Sequence, residues 1–98
     1  LVVTGLGGVL VEALRDVSFR IAPIDARDAR DMLTALRGAR LLGPFRGQPA
    51  VDCDRVADVL VRVARLGADF EEIAELDVNP MLASAGGTIA VDARVLLE

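Results

Sequence analysis

Two hydrophobic periods alternate along this chain, and their order limits what it can build. Val17, Phe19 and Ile21 alternate with Ser18 and Arg20, which is the period of a strand. Before them, LVV and GVLVEAL are short β-rich runs separated by TGLGG. From Ala29 the pattern changes: Met32, Leu33 and Leu36 fall at helical spacing until Gly38 interrupts them. Asp25, three residues before Asp28, has the form of an N-cap with a weak capping box. GPFRGQPAV reads as a loop from its Gly and Pro content, and Asp52 opens a second helix striped by Val56, Val59, Leu60 and Val63. Gly67 is the expected stop of that helix. EEIAELDVNP then returns to period two, and TIAVDARV repeats it after the turn SAGG. Strands, two helices and strands again predict an α/β (α+β) domain, a small mixed β-sheet with two helices on one face.

At 98 residues and 53% apolar content, one core is affordable and two are not, so residues 1–98 read as a single domain. No apolar run approaches the roughly 20 residues of a membrane span, and the first residues lack the pattern of a signal peptide. A cytoplasmic location is expected. The chain enters an apolar strand at once, without an initiating Met, and reads as a piece of something longer.

Composition removes several chemistries. There is no His, so His-ligated zinc and Ser-His-Asp or Cys-His catalysis are excluded within the chain. All 11 basic residues are Arg, so neither a Schiff-base lysine nor a P-loop lysine is present. Cys53 lies between Asp52 and Asp54, where a thiolate is disfavoured; it reads as a packed small residue. A net charge of −4 and only three aromatic residues supply neither the basic surface nor the stacking platform of a nucleic-acid binder.

The last hairpin carries the chemistry that remains. Glu75, Asp77 and Asn79 share one face of the first strand, with Leu76 and Val78 on the other. On the second strand Thr88, Ala90, Asp92 and Arg94 lie on one face, opposed by Ile89, Val91 and Ala93. If Ser84 to Gly87 form the turn, Asn79 falls opposite Asp92, with Cβ atoms roughly 4.5 to 5.5 Å apart. An amide oxygen and one or two carboxylates, completed by water and phosphate, are the donors Mg²⁺ takes, and they are too hard for zinc or copper. Half-exposed hairpins alternate in this way routinely, so spacing alone favours a solvated polar face over a metal site. GLGG at residues 5–8 is a similar case. Its backbone N–H groups suit a phosphate, yet it lacks the Gly-Lys-Ser/Thr ending and leads into a predicted strand, so a plain strand-to-strand turn is the favoured reading. Arg46, in PFRGQP, has a donor fork that suits an anion, although a lone loop Arg is usually just solvated.

Taken together, GLGGVLVEALRDVSFRIAPI and AELDVNPMLASAGGTIAVDARV resemble the nucleotide-binding β part of NDP-forming acyl-CoA synthetases. That is the ADP-forming acetyl-CoA synthetase family, related to the succinyl-CoA synthetase β subunit. The resemblance covers essentially the whole chain and implies the C-terminal subdomain of an ATP-grasp fold. It implies that Asn79 and Asp92 are Mg²⁺ ligands, with Asp77 a ligand or close support, and that Gly7, Gly8 and Glu12 belong to the nucleotide end of the cleft. Arg20, in the matching VSFR segment, is implied at most as an anion contact.

The activity implied is the reversible conversion of acyl-CoA, ADP and phosphate to carboxylic acid, CoA and ATP, through an acyl phosphate and a phosphohistidine. The phosphohistidine, the other ATP-grasp half and the CoA-binding domain must then come from outside these residues, and the chain alone is expected to have no turnover. Two alternatives stand beside this reading. One is a regulatory synthetase-like module fused to an acetyltransferase. The other is a non-catalytic interaction module, for which a mean hydropathy of +0.46 predicts apolar surface and homodimer formation.

Overall fold

The computed structural model describes residues 1–7 and 15–98, so the run GVLVEAL, and with it Gly8 and Glu12, lies outside the described residues. Strand β1 (Val2–Gly5) pairs antiparallel with β2 (Val17–Arg20), Val3 standing opposite Phe19. The period-two pattern of β2 is present, but its apolar face points outward: Ser18 is 6% exposed and Phe19 59%. The cause lies two residues earlier. Asp16 is buried, and its carboxylate accepts the Arg37 N–H at 2.7 Å and the Gly38 N–H at 2.8 Å. This ties the even-numbered face of the strand to the turn that follows the first helix, and Ser18 follows Asp16 inward. A Cβ on Gly38 would stand 2.6 Å from a Leu6 methyl and 3.3 Å from an Asp16 oxygen, so a larger residue there would have to displace one of these side chains.

Helix α1 (Ala26–Thr34) begins at the expected cap. Asp25 accepts the Asp28 N–H at 2.8 Å, and Asp28 accepts the Asp25 N–H at 3.1 Å. The hydrogen bond from the Asp28 backbone holds the Asp25 carboxyl below its ordinary pKa. A lowered folded-state value means that the cap supports α1 above the unfolded carboxylate pKa and fades as pH falls through the folded one. The α1 face of Ala29, Met32 and Leu33 is buried, and Leu36 extends it.

A 3-10 turn at Ala39–Leu42, absent from the sequence pattern, leads into the expected loop. Helix α2 (Cys53–Asp69) is capped by Asp52, whose carboxylate accepts the Arg55 N–H at 3.2 Å. It buries Val56, Ala57, Leu60 and Ala64, and Val59 and Val63 are only half-buried. The small Ala57 and Ala64 lie on this buried face, in the core that α2 shares with α1. The expected stop at Gly67 is corrected: α2 runs two residues further, to Asp69, with Phe70 as its C-cap. Gly67 takes no left-handed backbone, so it is an interior helix glycine, and packing carries the helix past a cost of about 1 kcal/mol relative to Ala.

The remaining strands are β3 (Ile73–Val78), β4 (Met81–Ser84), β5 (Gly87–Ala90) and β6 (Ala93–Leu97). β3 pairs with β6 and β4 with β5. The class is the small helix-and-strand architecture expected, with the helices packed on each other and against the strands. The pairings among described residues are three two-stranded antiparallel ladders rather than one mixed sheet. Leu1, Val3, Val17, Phe19 and Ile21 form an exposed apolar stretch on β1–β2 and its flanks. No helix among the described residues is long and apolar enough to cross a membrane.

Candidate metal centre

One register runs through the C-terminal hairpin from Glu75 to Leu96, with a shift only between Ile73 and Glu75. Asp77 pairs with Arg94 and Val78 with Ala93; beyond the interruption, Met81 pairs with Ala90 and Ser84 with Gly87. Between the two ladders, the Asn79 N–H donates to the Asp92 carbonyl at 3.0 Å and the Val91 N–H to the Pro80 carbonyl at 2.9 Å. Asn79 therefore stands opposite Asp92, as a Ser84 to Gly87 turn requires. The turn is fixed locally: Ser84 Oγ accepts the Gly86 N–H at 3.2 Å, and Gly87 has φ +131°, a conformation open to glycine. Its tip is anchored by the Asp52 N–H, which donates to the Ser84 carbonyl at 3.0 Å and so joins the hairpin to the start of α2.

The interruption at Asn79-Pro80 changes which face is covered. Pro80 has no N–H to give the ladder. Before it, Leu76 and Val78 turn toward the helices and Asp77 is exposed; after it, Met81 and Ala83 turn inward. On the return strand this reverses part of the expected alternation. Thr88, opposite Ala83, is half-buried, and Ile89, opposite Leu82, is 68% exposed. The outer face is thus polar only from Glu75 to Asn79 and from Asp92 to Arg94.

Within that polar stretch Asp77, Asn79 and Asp92 are all exposed. Asp92 Oδ1 accepts the Ala93 N–H at 2.9 Å, which orients the carboxylate and leaves Oδ2 without a hydrogen bond among the described residues. Arg94 reaches Glu75 at 3.8 Å. No group of three or more His, Cys, Asp or Glu gathers among the described residues; the candidate set has two carboxylates and an amide. As a donor set it fits a hard divalent cation that keeps water or phosphate in its remaining positions.

Asp77 and Asn79 also line a groove of about 350 Å³ whose other wall includes Gly7. A Cβ on Gly7 would meet nothing within 4 Å among the described residues, unlike Gly5, where it would stand 2.9 Å from the Asp16 carbonyl. Packing among the described residues explains the glycine at position 5 and gives no reason for the one at position 7. Gly7 borders the same groove as Asp77 and Asn79, beside the helix-facing Leu76 and Val78; Asp92, across the ladder from Asn79, does not line it. Arg20 folds back onto the Phe19 carbonyl at 2.8 Å. Arg46 sits in an exposed turn at φ +50° with its guanidinium 5.5 Å from the Phe45 ring. A second cavity of about 270 Å³ between Leu33, Leu42, Val51 and Cys53 is apolar and holds none of the candidate residues.

A family model described as ATP-grasp domain matches residues 1–97. Acetate–CoA ligase (ADP-forming) I subunit beta of Pyrococcus furiosus is 44% identical over 96 residues, covering 98% of this chain and 41% of the relative. Acetate–CoA ligase (ADP-forming) I of Archaeoglobus fulgidus is 43% identical over 97 residues, 99% of this chain and 14% of the relative. Among solved structures, dinucleotide-forming acetyl-coenzyme A synthetase 1 of Ca. Korarchaeum cryptofilum, in complex with coenzyme A and Mg-AMPPCP, superposes with a TM-score of 0.92. It is 47% identical, and the match covers 98% of this chain and 45% of that one. The chain spans less than half the length of each of these relatives.

Proposed function

The chain belongs to the ATP-grasp domain family, and from that premise we propose that residues 1–98 are the C-terminal subdomain of an ATP-grasp fold in an ADP-forming acyl-CoA synthetase. In this reading Asn79 and Asp92, with Asp77, hold Mg²⁺ against the phosphates of ATP or ADP. Gly7 lies at the nucleotide end of the same groove, and Gly8 and Glu12 are assigned there by resemblance. The observation that carries the reading is the single hairpin register that sets Asn79 opposite Asp92. The Mg-AMPPCP bound by the Korarchaeum relative supports the choice of metal and ligand.

The parent enzyme interconverts acyl-CoA, ADP and phosphate with carboxylic acid, CoA and ATP in the cytoplasm. Bound magnesium would neutralise charge on the phosphoryl group in transfer. The chain's own part is to orient that corner: the Asn79 to Asp92 backbone bond fixes the spacing of the donors, and the Ala93 N–H aims one carboxylate. With no His in the chain, a phosphohistidine is supplied by another part of the enzyme, as are the CoA and acid sites. Mn²⁺ titration followed by electron paramagnetic resonance tests the assignment. The full-length protein should bind Mn²⁺ more tightly with ADP present, and Asn79→Ala should weaken that binding by about 10-fold or more. Equal binding by both proteins would remove Asn79 from the site.

The exposed Leu1, Val3, Val17, Phe19 and Ile21 support the companion proposal that these residues pack against the rest of the ATP-grasp domain. Apolar patches of more than a few hundred Å² rarely stay free on a monomer. The isolated 98-residue chain should therefore self-associate in light scattering, and Phe19→Ser should shift it toward monomer. A strict monomer at all concentrations would count against this surface.

A further inference from the structure

Arg94 takes no part in the corner as assigned above, yet the ladder places it there. It stands directly opposite Asp77 and two residues beyond Asp92, so all three share the outer face. Successive same-face residues on a strand are about 7 Å apart, a distance an arginine stem spans. The face carries Glu75, Asp77 and Asp92 against the one cation Arg94 among the described residues of this ladder. A divalent ion answers the carboxylates, and phosphate oxygens that the ion does not take then need a separate donor.

The ion pair that Arg94 makes suggests how it is kept ready. The guanidinium meets Glu75 at 3.8 Å through one nitrogen, with the side chains 76% and 65% exposed. Pairs of this kind hold weakly. No ion pair joins Arg94 to Asp77 among the described residues, although Asp77 is its direct cross-strand neighbour, so Asp77 is left for a cation. A phosphate offers the guanidinium a two-point match that a single distant carboxylate oxygen does not.

We propose that Arg94 contacts the phosphate oxygens of the nucleotide held at the Asn79–Asp92 corner, and that Glu75 is a positioning residue that holds the guanidinium until phosphate replaces it. The proposal rests on the metal-corner reading. It makes Arg94 sensitive to phosphate number: ADP engages it and AMP does so little.

The test compares wild type, Arg94→Gln, Arg94→Lys and Glu75→Gln in the full-length protein, measuring Mn²⁺ alone, then ADP and AMP with Mn²⁺ present. Arg94→Gln should leave the affinity for Mn²⁺ alone unchanged or tighter, because a nearby cation is gone. It should weaken ADP by about 10-fold and AMP little, with Arg94→Lys restoring part of the loss. Glu75→Gln, which removes the carboxylate that phosphate must displace, should tighten ADP by about 2-fold, and ADP binding unchanged in it would remove Glu75 from the proposal. ADP binding unchanged in Arg94→Gln, or Mn²⁺ alone and ADP weakened equally, would overturn the role of Arg94 while leaving the corner standing. Wild-type protein that binds no Mn²⁺ with ADP would overturn the corner, and this proposal with it.

Discussion

Asp92→Ala in the full-length synthetase is expected to lower the rate of ATP formation by at least about 100-fold. Losing a group that only orients a metal ligand already costs about 10- to 100-fold in affinity or activity, and Asp92 is assigned as a ligand itself. The substitution should spare the fold. Asp92 is exposed, and its structural contact to Asn79 is made by the backbone carbonyl, which alanine retains. The Ala93 N–H loses a side-chain acceptor at 2.9 Å, but water replaces it at an exposed site, so stability should move by no more than about 0.5 kcal/mol. Asp92→Asn, which keeps one oxygen, should lose less activity than alanine. Steady-state kinetics with a parallel thermal melt separates the cases. Full activity in a folded Asp92→Ala protein would reduce the hairpin to a polar face.

Asp16→Ala is expected to destabilise the chain by about 2–4 kcal/mol, with no change in metal chemistry. Asp16 is 8% exposed, and its two carboxylate oxygens are the acceptors for two backbone N–H groups from Arg37 and Gly38. Alanine leaves both donors without partners in a site that admits little water, at about 1–3 kcal/mol each before relaxation. Because a domain of this size has about 5–15 kcal/mol in total, the loss should appear as a large fall in urea midpoint. Asp16→Asn keeps one acceptor oxygen and should fall between the two. A midpoint unchanged in Asp16→Ala would mean that the turn after α1 holds without the clamp.

The role of Asp16 shows where the sequence is hard to read. The alternation of Val17, Phe19 and Ile21 is visible in the residues, but the face that goes inward is set by a contact 21 residues away in sequence, which no local period encodes. Ser18 is buried because Asp16 is held. The helices were legible because their signals are local: Asp25 and Asp52 cap them as expected, and Met32, Leu33 and Leu36 form one buried face. Gly67 misled because a helix-breaking propensity of about 1 kcal/mol is small beside the packing of a 17-residue helix.

The hairpin gives both outcomes at once. The turn SAGG fixed the register, and with it the juxtaposition of Asn79 and Asp92, since pairing counts outward from the turn. The same count placed Thr88 on the outer face with Asp92, and the break at Pro80 moved it inward. Arg94 was visible on the polar face from parity alone, but its neighbour Glu75 sits diagonally across the ladder, a relation that only the folded pair displays. The roles of Asp77, Asn79 and Asp92 rest on the resemblance; spacing alone favours a solvated face.

The most direct test is a titration of the isotopically labelled chain with Mn²⁺ and ADP, recording which backbone amides the paramagnetic ion broadens. Broadening centred on Asp77, Asn79 and Asp92, extending to Gly7 across the groove, is the predicted result. Broadening centred elsewhere would contradict a metal centre in this hairpin.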